Sequence, residues 1–157
     1  EARDQASVLE IVQKTARKSR KRDRLDQTAP EGQGWVRHAK VRARIDAAGG
    51  LEVHVDGLTT QAKYYKPLLR EFFRKHLPAA RPRWGDFSAH IAMEYTGDPP
   101  HMDLDNLAKA MLDSAVGAAF HDDSQVARLL VERRPADREG VWMRLAPIGP
   151  PNPADFR

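Results

Sequence analysis

The sequence predicts an α+β domain: a mixed, largely antiparallel sheet carrying two main helices in the order ββ-α-β-α-ββ, behind an N-terminal helical and basic extension. Three observations lead there. Residues 51–56 and 87–96 alternate apolar and polar side chains, the period of a half-buried strand. Residues 60–77 and 105–116 repeat their apolar positions at helical spacing. Gly, Pro and Asp clusters separate these segments.

In chain order, residues 4–16 read as a helix with Leu9, Val12 and Ala16 along one side. A basic run and the stretch T-A-P-E-G-Q-G at 28–34 follow as a linker, so 1–34 stands apart from a domain over 35–147. Residues 36–45 and 51–56 read as two strands joined by A-A-G-G. In the helix over 60–77, with Pro67 starting it late or kinking it, Tyr65, Leu69, Phe72 and Phe73 share one face, and Lys63, Lys66, Arg70 and Arg74 line the other. P-R-W-G-D turns the chain into the strand at 87–96, which G-D-P-P ends. The helix at 105–116 buries Leu107, Met111, Leu112 and Ala115, with Gly117 near its end. Asp122, Asp123 and Ser124 form a turn into a strand over 125–133, and 141–146 is the last strand. A Pro-rich tail occupies 148–157.

Composition narrows the function. With 41% apolar residues in a 157-residue chain, one domain with a real core is expected. No cysteine is present, which excludes disulfides and thiolate metal sites. No apolar run is long enough for a membrane span and none reads as a signal peptide, so a non-membrane protein is expected, and the absence of cysteine permits a reducing, cytoplasmic compartment. The first residue is Glu1 rather than Met, so a processed or trimmed chain, or one cut from something longer, is expected.

Charge is distributed unevenly about a net +4. Lys14, Arg17, Lys18, Arg20, Lys21, Arg22 and Arg24 surround the single acid Asp23. Lys63, Lys66, Arg70, Arg74, Lys75, Arg81 and Arg83 outnumber Glu71 between 60 and 84. Between 94 and 123 the balance inverts: Glu94, Asp98, Asp103, Asp105, Asp113, Asp122 and Asp123 accompany Lys109. A basic surface around an acidic knot suits a protein that grips a polyanion and brings metal ions to it. The stripe of Lys63, Lys66, Arg70 and Arg74 fits two readings, a solvated outer face or a row tracking phosphates.

The acids are the chemical signal. Asp105, Lys109 and Asp113 are spaced to share one helix face, with Asp103 just before the helix. If the strand after Asp122 and Asp123 lies beside the strand at 87–96, their turn approaches the helix start. Three carboxylates there form an oxygen-rich site for Mg²⁺, with Lys109 one turn away to meet a phosphate or orient a water. Structural readings stand beside this one: Asp105 as a helix cap, and Asp122 and Asp123 as turn residues. His101 and His121 flank the clusters and fit a surface or supporting role. Trp84, next to Arg81 and Arg83, is the best-placed tryptophan for contact with a bound polyanion, against Trp35 and Trp142; Trp142 fits sheet packing.

D-L-D-N-L-x-K at 103–109, L-D-x-x-x-G at 112–117 and F-x-D-D-S-Q-V at 120–126 resemble the core motif of RusA-type Holliday junction resolvases. The resemblance is strongest over 103–126 and extends from about 60 to 133. It departs from the family pattern where V-D-G-L-T-T leads into the basic helix, and it does not cover the residues before Trp35. It implies a homodimeric, Mg²⁺-dependent endonuclease of bacteria or phages, Mn²⁺ being an alternative ion. Such an enzyme acts at the nucleoid and cuts four-way DNA junctions by paired symmetric nicks. Asp103, Asp105 and Asp123 become metal-binding carboxylates, with Asp122 as an additional candidate, and Lys109 the catalytic lysine. Lys63, Lys66, Arg70, Arg74, Arg81, Arg83 and Trp84 become the DNA-binding set. The rival expectations are a nuclease for other branched DNA or RNA, and a non-catalytic DNA-binding module of a larger protein.

Overall fold

The computed structural model describes residues 34–149. The helix expected over 4–16, the basic linker and most of the Pro-rich tail lie outside the described residues. Six strands form one sheet: β1 (Val36–His38), β2 (Val41–Ile45), β3 (Leu51–Asp56), β4 (Phe87–Tyr95), β5 (Val126–Pro135) and β6 (Gly140–Pro147). Two helices, α1 (Tyr65–His76) and α2 (Leu104–Ala115), complete the α+β domain. The strand order is β1-β2-β3-β6-β4-β5. Only β4 and β5 pair in parallel; the other neighbours are antiparallel.

Alternation along the strands decides which face is covered. Leu51, Val53 and Val55 of β3, Phe87, Ala89, Ile91 and Met93 of β4, and Val141, Met143 and Leu145 of β6 are buried in one cluster with both helices. From α1 this cluster takes Tyr65, Leu69, Phe72 and Phe73, and from α2 Leu107, Met111 and Ala115. The stripe recurring every three or four residues on each helix thus meets the apolar face of the sheet. Pro67 sits in the first turn of α1, where its missing N–H costs no intrahelical bond, and a 3₁₀ turn at Ala62–Tyr64 leads in. The polar face is a lattice of pairs instead. Arg44 bridges Glu52 at 2.9 Å, and Trp142 donates its indole N–H to Glu52 at 2.8 Å. Arg134 lies over the Trp142 ring, and Arg42 and Arg44 lie over Trp35.

One expected strand divides. The segment 36–45 is a hairpin, with Val36 opposite Ala43 and His38 opposite Val41. Its tight turn puts Ala39 at φ 54°, a left-handed conformation that costs a non-glycine residue roughly 1–2 kcal/mol. R-H-A-K carries none of the residues that usually mark such a turn. The A-A-G-G turn between β2 and β3 is as expected. Asp46 accepts from the amides of Ala48 and Gly50, and Gly49 sits at φ 87°. A side chain on Gly49 would collide with the Arg83 guanidinium, which donates to the Ala48 carbonyl. No helix among the described residues is long and apolar enough to cross a membrane.

Candidate active site

Asp103 is the N-cap of α2. Its backbone is extended, and its carboxylate accepts from the Asp105 amide at 2.9 Å. The cap is therefore Asp103, not Asp105. Asp105 lies in the first turn, where the positive end of the helix favours an acid. Both side chains are exposed. Beside them opens a cleft of about 380 Å³ between the 3₁₀ turn, α1 and α2, lined by Lys63, Lys66, Asp103, Asn106, Lys109 and Asp113 among others. Lys109 and Lys66 approach the same oxygen of Asp113, at 3.6 and 3.8 Å. Three lysines thus share one cleft with two aspartates and the amides of Gln61 and Asn106. This arrangement suits a phosphate held beside a cation.

The second acidic pair is elsewhere. Asp122 caps a 3₁₀ turn at Asp123–Gln125, and the Ser124 hydroxyl and amide hydrogen-bond its carboxylate, holding it below the usual carboxylate range. Gln125 organises this turn. Its carbonyl oxygen accepts from the amides of His121 and Asp122, and its side-chain N–H₂ donates to the carbonyls of Arg83 and Gly85. Sequence reasoning gave Gln125 no role, although D-S-Q with Asp122 spells a capping box. His121 stacks on Trp84 with ring centroids 3.8 Å apart, and Trp84 is half exposed.

These contacts tie the acid turn to the residues that lead into β4. The expected approach of this turn to the helix start does not occur within one chain. The strand after the turn does lie beside β4, but in parallel, with Phe87 opposite Val126 and Tyr95 opposite Pro135. The chain leaves the far end of β4, enters α2 at Asp103 and travels back along the helix before β5 begins. The twelve residues of α2 rise about 18 Å, so Asp103 and Asp105 stand at one end and Asp122 and Asp123 at the other. Accordingly, no group of three or more His, Asp or Glu among the described residues can hold a metal ion.

The basic residues divide by their partners. Glu71 bridges Arg74 at 2.8 Å and Lys75 at 2.9 Å, and Lys66 approaches Asp113, so part of the stripe is neutralised in place. Lys63 and Arg70 have no acidic partner among the described residues, although Arg70 reaches the Asp113 carbonyl at 3.5 Å. Arg81 is exposed, whereas Arg83 is folded over the β2–β3 turn. His101 is exposed just before the helix cap.

No curated protein matches the chain. The family model for the endodeoxyribonuclease RusA matches residues 35–145, from the residue before β1 to near the end of β6, and takes in both helices and both acidic pairs. With that match over most of its length, the chain belongs to the RusA endodeoxyribonuclease family, nucleases that act on branched DNA junctions.

Proposed function

We propose that this nuclease resolves four-way DNA junctions by paired symmetric nicks, as a homodimer dependent on Mg²⁺, with Mn²⁺ able to substitute. The observation that carries the reading is the exposed Asp103–Asp105 pair at the head of α2, with Asp103 on the rim of a lysine-lined cleft. The donor chemistry fits: carboxylate oxygens without sulfur or required imidazole are what a hard divalent cation takes. Asp103 commits one oxygen to the Asp105 amide and keeps the other for a ligand.

One chain supplies half of the donor set. Asp123, with Asp122 beside it, belongs to the far end of α2 and joins Asp103 and Asp105 when a second chain presents its acid turn. Two chains related by a two-fold axis then carry two such sites, which is what symmetric nicking requires. When bound, the ion supplies Lewis acidity toward the attacked phosphodiester and lowers the pKa of the attacking water. Lys109, exposed one turn into α2, meets the phosphate from the cleft side. Lys63, Lys66, Arg70, Arg74 and Arg81 hold the flanking backbone by charge, without reading bases. Trp84, stacked on His121 beside the acid turn, offers a face to an unpaired base at the junction centre. The setting that follows is a bacterial or phage nucleoid.

The test is cleavage of a synthetic four-way junction in Mg²⁺, compared with linear duplex, flap and structured RNA. Paired nicks at symmetric positions in the junction are expected. Preferential flap or RNA cleavage would make it a different branched-substrate nuclease. Binding without cleavage in Mg²⁺ or Mn²⁺ would make it a non-catalytic module.

A further inference from the structure

Gln125 uses every hydrogen-bonding group its side chain has. The carboxamide oxygen accepts from the amides of His121 at 2.8 Å and Asp122 at 3.1 Å, and the N–H₂ group donates to the carbonyls of Arg83 and Gly85, both at 2.8 Å. A primary amide offers two acceptor lone pairs and two N–H donors, so nothing is left over. A glutamate in its place would lose both donors and turn a charge toward two carbonyl oxygens.

These bonds join two exposed segments. Asp122, Asp123 and Ser124 lie in water, as do Trp84 and Gly85, and no residue of 83–85 or 121–124 belongs to the core. Segments without buried apolar contacts have little local stability unless polar contacts fix them. Here the contacts close a circuit. The two carbonyls flank Trp84, the His121 ring stacks on the Trp84 indole with the planes 16° apart, and the His121 amide returns to Gln125. Asp123 sits within the held turn, since the Asp122 amide binds the Gln125 side chain and the Asp122 carbonyl accepts from the Gln125 amide at 3.1 Å. No hydrogen bond or ion pair among the described residues engages the Asp123 carboxylate itself.

We propose that Gln125 is a positioning residue that couples DNA contact at Trp84 to divalent-cation binding at Asp123, so that each strengthens the other. The proposal rests on the reading above, in which Trp84 meets an unpaired base and Asp123 ligates the ion. A base stacked on Trp84 fixes the Arg83 and Gly85 carbonyls beside it. The planar amide of Gln125 follows these carbonyls, and its oxygen fixes the amides of the acid turn. A turn already ordered by one ligand costs less to order for the second. Linkage makes the effect reciprocal: the ion strengthens the base contact by the same factor.

Gln125→Met preserves length and neutrality and removes all four side-chain bonds. Three of the four lie at exposed groups that water can satisfy, so the fold should persist with a nearly unchanged urea midpoint. In the DNA-free wild-type protein, saturating Ca²⁺ should shift the Trp84 indole N–H resonance, assigned by its loss in Trp84→Phe, and leave those of Trp35 and Trp142 in place. In Gln125→Met that shift should vanish. With a four-way junction bound, Gln125→Met should raise the Ca²⁺ concentration for half-saturation about tenfold. On a Trp84→Ala background the same substitution should cost less than about twofold, because the contact it transmits is already gone. If Ca²⁺ leaves the wild-type Trp84 resonance in place, or Gln125→Met costs the same with and without Trp84, Gln125 only caps its turn and the coupling is wrong, while junction cleavage by the wild type keeps the resolvase reading. If both results are as expected and the wild type cleaves no junction in Mg²⁺ or Mn²⁺, the coupling stands and the resolvase reading fails.

Discussion

Two inactive variants should repair one another when mixed. Ligands of a single Mg²⁺ lie about 2.1 Å from the ion, so two of them sit within about 4 Å of each other. The about 18 Å rise of α2 keeps Asp103 and Asp123 of one chain far outside that limit. Asp103→Asn and Asp123→Asn each remove a donor charge while preserving side-chain size. Each homodimer should therefore lose cleavage by about a hundredfold or more. In a heterodimer of the two variants, one composite site carries both lesions and the other carries none. Random exchange makes about half of the dimers mixed, so about a quarter of all sites are intact. A labelled four-way junction should then be nicked at about a quarter of the wild-type rate, and in one strand per junction rather than two. Binding, followed in Ca²⁺, should be unchanged or tighter for every species, since removing an acid lessens repulsion of phosphates. If the exchanged mixture is as inactive as its parents, the site lies within one chain and the two-chain argument is refuted.

Other consequences can be measured as directly. Replacing Lys63 and Arg70 together by Ala should weaken binding to all junction sequences alike and make the log–log salt dependence shallower by about 2, whereas Arg74→Ala should change it less because Glu71 already holds that charge. Lys109→Ala should abolish cleavage while Mn²⁺ binding, measured by calorimetry, is retained, because an ammonium group cannot ligate a cation. Leu107→Ala, at a fully buried position of α2, should cost about 2–5 kcal/mol in urea unfolding. Ser124→Ala should raise the pKa of Asp122 seen by carboxyl NMR. The wild-type value lies below the ordinary one, so its stabilising effect is complete above the ordinary carboxylate pKa and is lost as pH falls through the lowered value.

What was legible in the sequence is what short-range periodicity controls. The alternation in β3 and β4 and the helical stripes of α1 and α2 identify the covered faces, because a side chain's direction follows directly from backbone repeat. The motif around Asp103, Asp105, Lys109 and Asp123 likewise identifies the family before any coordinate is known. The hairpin at Ala39 was hidden because its turn is imposed by the pairing of Val36 with Ala43 rather than by a residue that prefers φ > 0. The role of Gln125 was hidden for a related reason: its partners Arg83 and Gly85 are about forty residues away. The direction of β5 was the larger gap. Val126–Pro135 has the same side-chain alternation whether it runs with β4 or against it, and only the return of the chain along α2 makes the pair parallel. The sequence by itself therefore determined which carboxylates this protein possesses and which family they mark. The tertiary structure decided that one chain holds them at opposite ends of a helix, because a parallel crossover must start β5 where β4 started and so carries Asp122 and Asp123 away from Asp103.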